Sequence, residues 1–160
     1  MTAAVDEARY RQVLGHFATG VTIVTAAVES LPVGLSVNSF TSVSLDPPLV
    51  AFCVSVESAT WSTIERAGWF CVNILGDDQE HISRTFATRG ADRFRGLGWE
   101  PAPSGAPIIA GVLAWVDCET EAKHQAGDHL IVVGRVRDLD VVREGRPLVF
   151  FRGGYGRFEP

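Results

Sequence analysis

Apolar positions change their spacing several times along the chain, and each change marks a predicted element. Near the start, Tyr10, Val13, Leu14 and Phe17 recur at i, i+3, i+4 and i+7, the period of one helix face. Asp6 to Thr19 therefore reads as a packed helix carrying His16, with Gly20 as its stop. Val21 to Thr25 is β-branched throughout, which predicts a strand. A turn around Leu31-Pro32 leads to a second strand over Val33 to Phe40. Pro47 and Pro48 break the pattern ahead of Leu49 to Val56, an almost continuous apolar run expected of a strand covered on both faces. Ser58 stands as N-cap for a helix over Ala59 to Ala67, with Trp61 and Ile64 one turn apart. Trp69 to Leu75 predicts another strand and Asp77 to Phe86 a short helix. Gly96 to Pro107 is rich in Gly and Pro and is expected to be a loop, as is the surround of His124. Ile108 to Glu121, Leu130 to Val142 and Leu148 to Phe151 complete the strands.

Neither an internal repeat nor a linker divides the pattern, so residues 1–160 are expected to form a single domain. Six or seven strands with two or three short helices predict an α+β, mainly β fold. Strands at these intervals, with Gly at several edges, favour a closed or nearly closed barrel over an open sheet.

Composition narrows the setting. At 160 residues and 46% hydrophobic the chain can bury a core, which excludes disorder as its main state. The formal charge of −5 argues against a non-specific nucleic-acid binder, although 14 residues are basic and Lys123 is the only lysine among them. No apolar run reaches the ~18 residues of a membrane span, and Met1 to Arg11 is too charged for a signal peptide. Cys53, Cys71 and Cys118 lie in apolar, strand-like surroundings with no CxxC spacing and no adjacent His. Three buried thiols suit a reducing compartment, here the cytoplasm, and speak against a disulfide framework or a zinc site.

The chemistry is narrowed first by what is missing. GxGxxG between a strand and a helix, a P-loop, HExxH and GxSxG are all absent. What is present is a polar bend. Ser36, Asn38, Ser39, Thr41, Ser42 and Ser44 continue directly from strand residues and precede two prolines. Such a segment offers peptide N–H groups and hydroxyls at close range, the donors needed by a flat heterocycle rich in acceptors or by a phosphate. Ser58, as an N-cap, leaves free N–H groups and a positive helix end for an anion. Arg89, three residues after Phe86, is a candidate for bidentate pairing with a phosphate. His129 stands in Gly127-Asp-His-Leu-Ile131, where Gly allows a tight turn and Asp128 can orient its neighbour.

These residues also carry a resemblance. Phe17-Ala-Thr-Gly-Val-Thr-Ile-Val-Thr25, Gly34 to Leu49, Phe70-Cys-Val-Asn-Ile-Leu75, Asp92-Arg-Phe94, Gly127-Asp-His129, Gly134-Arg-Val136, Pro147-Leu148 and Gly154-Tyr155 resemble, in order, the flavin reductases that supply two-component monooxygenases. The resemblance implies a flavin-binding split β-barrel with short peripheral helices, usually a homodimer with flavin near the subunit interface. It places Val37, Asn38, Ser39, Phe40 and Thr41 in the flavin-contacting turn, with Val43 and Ser44 as its continuation. Ser58, Ala59 and Thr60 fall on the phosphate segment, and His129 beside the nicotinamide and the flavin ring. Arg152, Gly153 and Tyr155 fall on the C-terminal segment that approaches the nicotinamide nucleotide. Glu57 departs from the family pattern, since a neutral or basic residue would suit an anion better.

The implied activity is that of an NAD(P)H:flavin oxidoreductase, of EC 1.5.1 type. Hydride passes from NADH, or NADPH, to FAD or FMN, and the reduced flavin goes to a partner monooxygenase. No metal is expected. Two other readings remain open at this point: a non-catalytic flavin- or haem-binding module on a similar barrel, and a relative of pyridoxamine-phosphate oxidases. A single lysine suits the latter poorly.

Overall fold

A computed structural model describes residues 4–160. Helix α1 (Glu7–Leu14) is followed by β1 (Thr19–Gly20), β2 (Thr22–Val28), β3 (Leu31–Val37), β4 (Thr41–Leu45) and β5 (Pro48–Ser55). Then come α2 (Ala59–Ala67), β6 (Trp69–Ile74), a 3-10 turn (Asp77–Gln79) and α3 (Glu80–Ala87). Strands β7 (Trp99–Pro101), β8 (Pro107–Ile109), β9 (Ala114–Ala126), β10 (His129–Val141), β11 (Leu148–Phe151) and β12 (Gly154–Arg157) complete the order.

Seven strands form one antiparallel sheet in the order β3-β2-β6-β9-β10-β5-β4. Its two edge strands, β3 and β4, are consecutive in the chain and joined only by Asn38, Ser39 and Phe40. Laid flat, seven strands would hold their edges roughly 29 Å apart, whereas the link can span at most about 14 Å. The sheet must curl until its edges nearly meet. The result is a split β-barrel, open along one seam, and the three-residue link lies on that seam. Gly134 on β10 makes the curl compatible with a filled interior, because a Cβ there would stand 2.5 Å from the Phe70 ring.

One apolar cluster fills the barrel, with Val24, Phe52, Trp61, Ile64, Phe70, Val72 and Val132 among its members. Phe52, Trp61 and Phe70 pack edge to face in pairs. A second cluster, including Ile23, Leu75, Ile82, Phe86, Ile109, Val112 and Leu148, joins the outer side of the sheet to α3, β8 and β11. Two buried polar side chains fasten the β7–β8 hairpin. The Asn73 carbonyl accepts from the Ile109 N–H at 2.8 Å, and its amide donates to the Pro107 carbonyl. The Asp117 carboxylate accepts from the Ser104 N–H at 2.9 Å and its hydroxyl at 2.7 Å. Burial raises the Asp117 carboxyl above its ordinary value, and the two Ser104 hydrogen bonds oppose that rise.

Several expectations are corrected. The first helix ends at Leu14, and its predicted inner face is not packed: Tyr10, Val13, Leu14 and Phe17 are 51–77% exposed, and His16 is exposed too. The turn falls at Glu29 and Ser30, both at positive φ, so Leu31-Pro32 opens β3, which stops at Val37. Thr41–Leu45 is a strand because it forms a hairpin with β5. The Gly- and Pro-rich stretch holds β7, paired with β8, and His124 lies within β9. The strand expected from Ile108 is two strands, β8 and β9. Cys53 is exposed, so β5 is not covered on both faces. Cys71 and Cys118 are buried, which pushes the Cys118 thiol up to about 12.

Candidate active site

The seam is where the barrel leaves peptide groups free. Continuing the β4–β5 register, in which Thr41 faces Ala51, would set Ser39 opposite Cys53. The pair is made by a side chain instead of the backbone: Ser39 Oγ accepts from the Cys53 N–H at 2.8 Å and donates to the Cys53 carbonyl at 3.2 Å. Among the described residues, the peptide N–H groups of Asn38, Ser39 and Phe40 donate to no protein acceptor. Asn38 and Ser39 are exposed, Phe40 is half-buried, and Val37 is buried, its carbonyl accepting from the Thr22 hydroxyl at 2.7 Å. Thr41 donates to the Ser42 carbonyl. The register slips between Ser42 and Ser44, so Val43 is the extra residue of a bulge and projects outward, while Ser44 is half-buried.

A groove of about 700 Å³ runs past this link, lined by Asn38 to Thr41, by Tyr10, Leu14, Phe17 and Thr19, and by Phe150. An adjoining groove of about 730 Å³ shares Tyr10 and is lined also by Arg11, Cys53, Asp128, His129 and Ile131. The β5–β10 ladder sets Ile131 opposite Cys53 and His129 opposite Ser55, which puts all four on one face. The histidine is thus two residues along from the point where Ser39 is hooked. Gly127, at φ 62°, makes the tight turn from β9 into β10. His129 Nδ1 lies 2.7 Å from the Asp128 carboxylate. With Nδ1 donating to that carboxylate, Nε2 is the free ring nitrogen. The hydrogen bond from His129, and then its charge, hold the Asp128 carboxyl below its ordinary value.

On the other side of the seam, Ser58 caps α2 by accepting from the Trp61 N–H at 3.1 Å. Ala59 is exposed and Thr60 half-buried. Thr60 lines a third groove, of about 540 Å³, between Leu31–Gly34 of β3 and the stretch Gly90–Phe94. Sequence reasoning missed its main charge. Arg93 donates to the Gly34 carbonyl at 2.7 Å, to the Thr60 hydroxyl at 3.2 Å and to the Thr88 carbonyl at 3.4 Å. All three are neutral oxygens, and burial lowers the Arg93 pKa from its ordinary value. Among the described residues this half-buried cation has no carboxylate partner, which suits it to receive an anion. Only the Asp92-Arg-Phe94 resemblance pointed here, because Arg93 and Thr60 are 33 residues apart. Arg89 is exposed, in the loop before Gly90, and is not among the residues lining the three grooves.

The C-terminal residues divide. Arg152 and Gly153, both at positive φ, form the turn between β11 and β12, and the Arg152 N–H donates to the Gly15 carbonyl at 2.8 Å. Tyr155 is half-buried and committed to α3: its hydroxyl lies 2.8 Å from the Ser83 hydroxyl, which in turn lies 3.3 Å from that of Ser36. The Arg84 guanidinium sits 4.8 Å from the centre of the Tyr155 ring. Of the two, Phe150, the strand partner of Tyr155, is the one that lines the groove past the link.

Comparison with known proteins bears on this geometry. The family model described as "Flavin reductase like domain" matches residues 14–159. The reductase subunit HsaB of a flavin-dependent monooxygenase from Rhodococcus jostii (strain RHA1) is 47% identical over 157 residues, which is 98% of this chain and 80% of that protein. A nitrilotriacetate monooxygenase component B homologue from Mycobacterium thermoresistibile superposes with a TM-score of 0.95 at 48% identity, covering 99% of this chain and 90% of its own. The NADH:FAD oxidoreductase SgcE6 of Streptomyces globisporus C-1027, solved with NAD and FAD fragments, superposes at 0.92 with 36% identity, covering 99% and 98%.

Proposed function

The chain belongs to the flavin reductase like domain family, and from that premise we propose that residues 37–44, 58–60, 93 and 129 form the site of an NADH:flavin oxidoreductase. In the reaction a hydride passes from the reduced nicotinamide to flavin N5, and the reduced flavin leaves for a separate monooxygenase. The flavin is a substrate, FAD or FMN, and the protein's part is to bind and align.

The observation that carries the reading is the freed backbone of the seam. Asn38, Ser39 and Phe40 line the groove with no protein acceptor for their peptide N–H groups among the described residues, and at Ser39 the hydroxyl has taken over the pairing with Cys53. Those groups suit the carbonyl and ring-nitrogen edge of an isoalloxazine. Arg93, Thr60 and the capped start of α2 take the phosphate. His129, fixed through Nδ1 by Asp128, turns Nε2 to the nicotinamide and helps hold it at attack distance.

The working form is a homodimer in the cytoplasm. Its support is the apolar cover missing from the grooves: Tyr10, Leu14 and Phe17 line them while more than half exposed, and Val43 and Leu45 on the β4 edge are exposed as well.

NADH consumption under air, with and without added FMN or FAD, tests the activity. Turnover that depends on added flavin is expected, whereas flavin binding without NADH oxidation would leave only a binding module. His129→Ala is expected to raise the KM for NADH or lower kcat several-fold with flavin affinity retained. Unchanged flavin reduction in stopped flow would remove His129 from the mechanism.

A further inference from the structure

Strand β10 is paired on one of its sides for only part of its length. Strand β9 accompanies it from His129 to Val141, but its pairing with β5 ends at Arg135, opposite Leu49. From Val136 onward, among the described residues, no strand pairs with that second side. Such an edge is a template for another chain, because its N–H and C=O groups are free to pair. The side chains along it favour the same outcome. Leu139 and Val141 are 59% and 67% exposed, and Val142 is exposed too.

The ladder fixes which groups face outward. On β9, the Thr120 N–H donates to the Gly68 carbonyl, on the β6 side, at 2.9 Å. Peptide groups alternate in direction along a strand, so Cys118 and Val116 also turn to β6, while Asp117 and Trp115 turn to β10. Their partners on β10 are Asp138 and Asp140. Leu139 and Val141 therefore point the other way, at the open edge. The Val142 N–H, which donates to the Leu113 carbonyl at 2.8 Å, keeps the same alternation.

Both outward N–H groups are already occupied. Asp138 Oδ1 accepts from the Leu139 N–H at 2.9 Å, and Asp140 Oδ1 accepts from the Val141 N–H at 2.8 Å. Within the ladder Asp138 is unfavourable. It stands opposite Asp117, whose carboxyl is raised by burial and further by the Asp138 charge. Like charges across a strand pair repel. What Asp138 supplies in return is its bond at the edge.

A second copy is the partner that this edge fits. Brought up antiparallel about a two-fold axis, two β10 edges set Leu139 of each copy across from Val141 of the other. In that register both outward N–H groups of each copy find a carbonyl, and the apolar side chains lie together. The same register puts Asp140 directly opposite its counterpart, and strips both carboxylates of the N–H groups that they hold.

We infer that Asp138 and Asp140 close the β10 edge against a second copy of this chain, by binding the N–H groups that strand pairing would use and by setting like charge at its centre. Without them β10 joins β10 of another copy, and the sheet runs on from one molecule into the next. None of residues 136–142 lines the two grooves at the seam, so the inference does not rest on the proposed activity.

The test is sedimentation velocity of the full chain over a range of protein concentrations. Asp138→Thr together with Asp140→Thr removes both carboxylates and leaves side chains that suit a strand. This double variant is expected to form a concentration-dependent species of about twice the mass of the unaltered protein, in which the Leu139 and Val141 amides exchange slowly with solvent. Adding Val141→Pro deletes an outward N–H that makes no ladder bond, and is expected to restore the unaltered mass. Far-ultraviolet circular dichroism matching the unaltered protein shows that each variant is folded. Where the double variant does not fold, Asp140→Thr alone, at the axis, carries the same expectation. A folded variant that keeps the unaltered mass at every concentration, or association that the proline does not reverse, overturns the inference.

Discussion

Helices α1 and α2 begin alike and end in opposite environments. Asp6 caps the first by accepting from the Arg9 N–H at 2.7 Å, and Ser58 caps the second by accepting from the Trp61 N–H. They run for 8 and 9 residues, and each carries apolar side chains at helical spacing. Yet α2 buries Trp61 and Ile64 completely, whereas α1 buries nothing. The cause is connectivity. Strand β5 delivers α2 straight onto the barrel end, where Phe52 and Phe70 wait for Trp61. Helix α1 precedes every strand, and the turn after it is tied down chiefly by the bond from Arg152 to Gly15. Helical periodicity tells which face is apolar but not what covers it. For α1 the proposed cover is a second copy of the chain.

That contrast can be tested at matched positions. Ile64→Ala, in the barrel core, is expected to cost about 2–5 kcal/mol in chemical denaturation, the range for a buried aliphatic truncated to Ala. The caps come next. Ser58→Ala should cost about 1 kcal/mol, while Asp6→Ala should leave the global midpoint nearly unmoved, because α1 can fray without opening the core. A matching loss at both caps would mean that α1 is fastened to the barrel as firmly as α2. Leu14→Asp should change the stability of the isolated chain least, within about 0.5 kcal/mol. In sedimentation it should nonetheless convert dimers to monomers. A variant that stays dimeric would show that α1 is not at the interface.

What could be read from the sequence follows the same line. The bounds of α2 matched residue for residue, since a cap, a periodic face and Gly68 in the left-handed region all agree there. Strand β6 was legible from its own apolar run. Strand β4 was not, because its alternating apolar residues, Val43 and Leu45, lie exposed on a barrel edge and the alternation runs for only four residues before the prolines. The β2–β3 turn was hidden because Glu29 and Ser30 adopt positive φ without a glycine. Pro32 looked like a turn residue, yet it is tolerated on β3, which is an edge strand. In the candidate site, the bend and the Gly-Asp-His corner were legible because short-range turn chemistry builds both. Arg93 was not, since its role arises only where the 90s loop folds over the outer edge of β3.

The Ser39 hook has a consequence for turnover. A backbone already released from its neighbours need not break anything to accept a ring, and nothing must re-form when the ring departs. Occupied and vacated forms therefore differ little in the protein's own bonding, and the barrier to exchange is set mainly by contacts with the visitor itself. For a catalyst whose product has to travel to another enzyme, a single hydroxyl standing in for a strand pair keeps the exit as easy as the entrance.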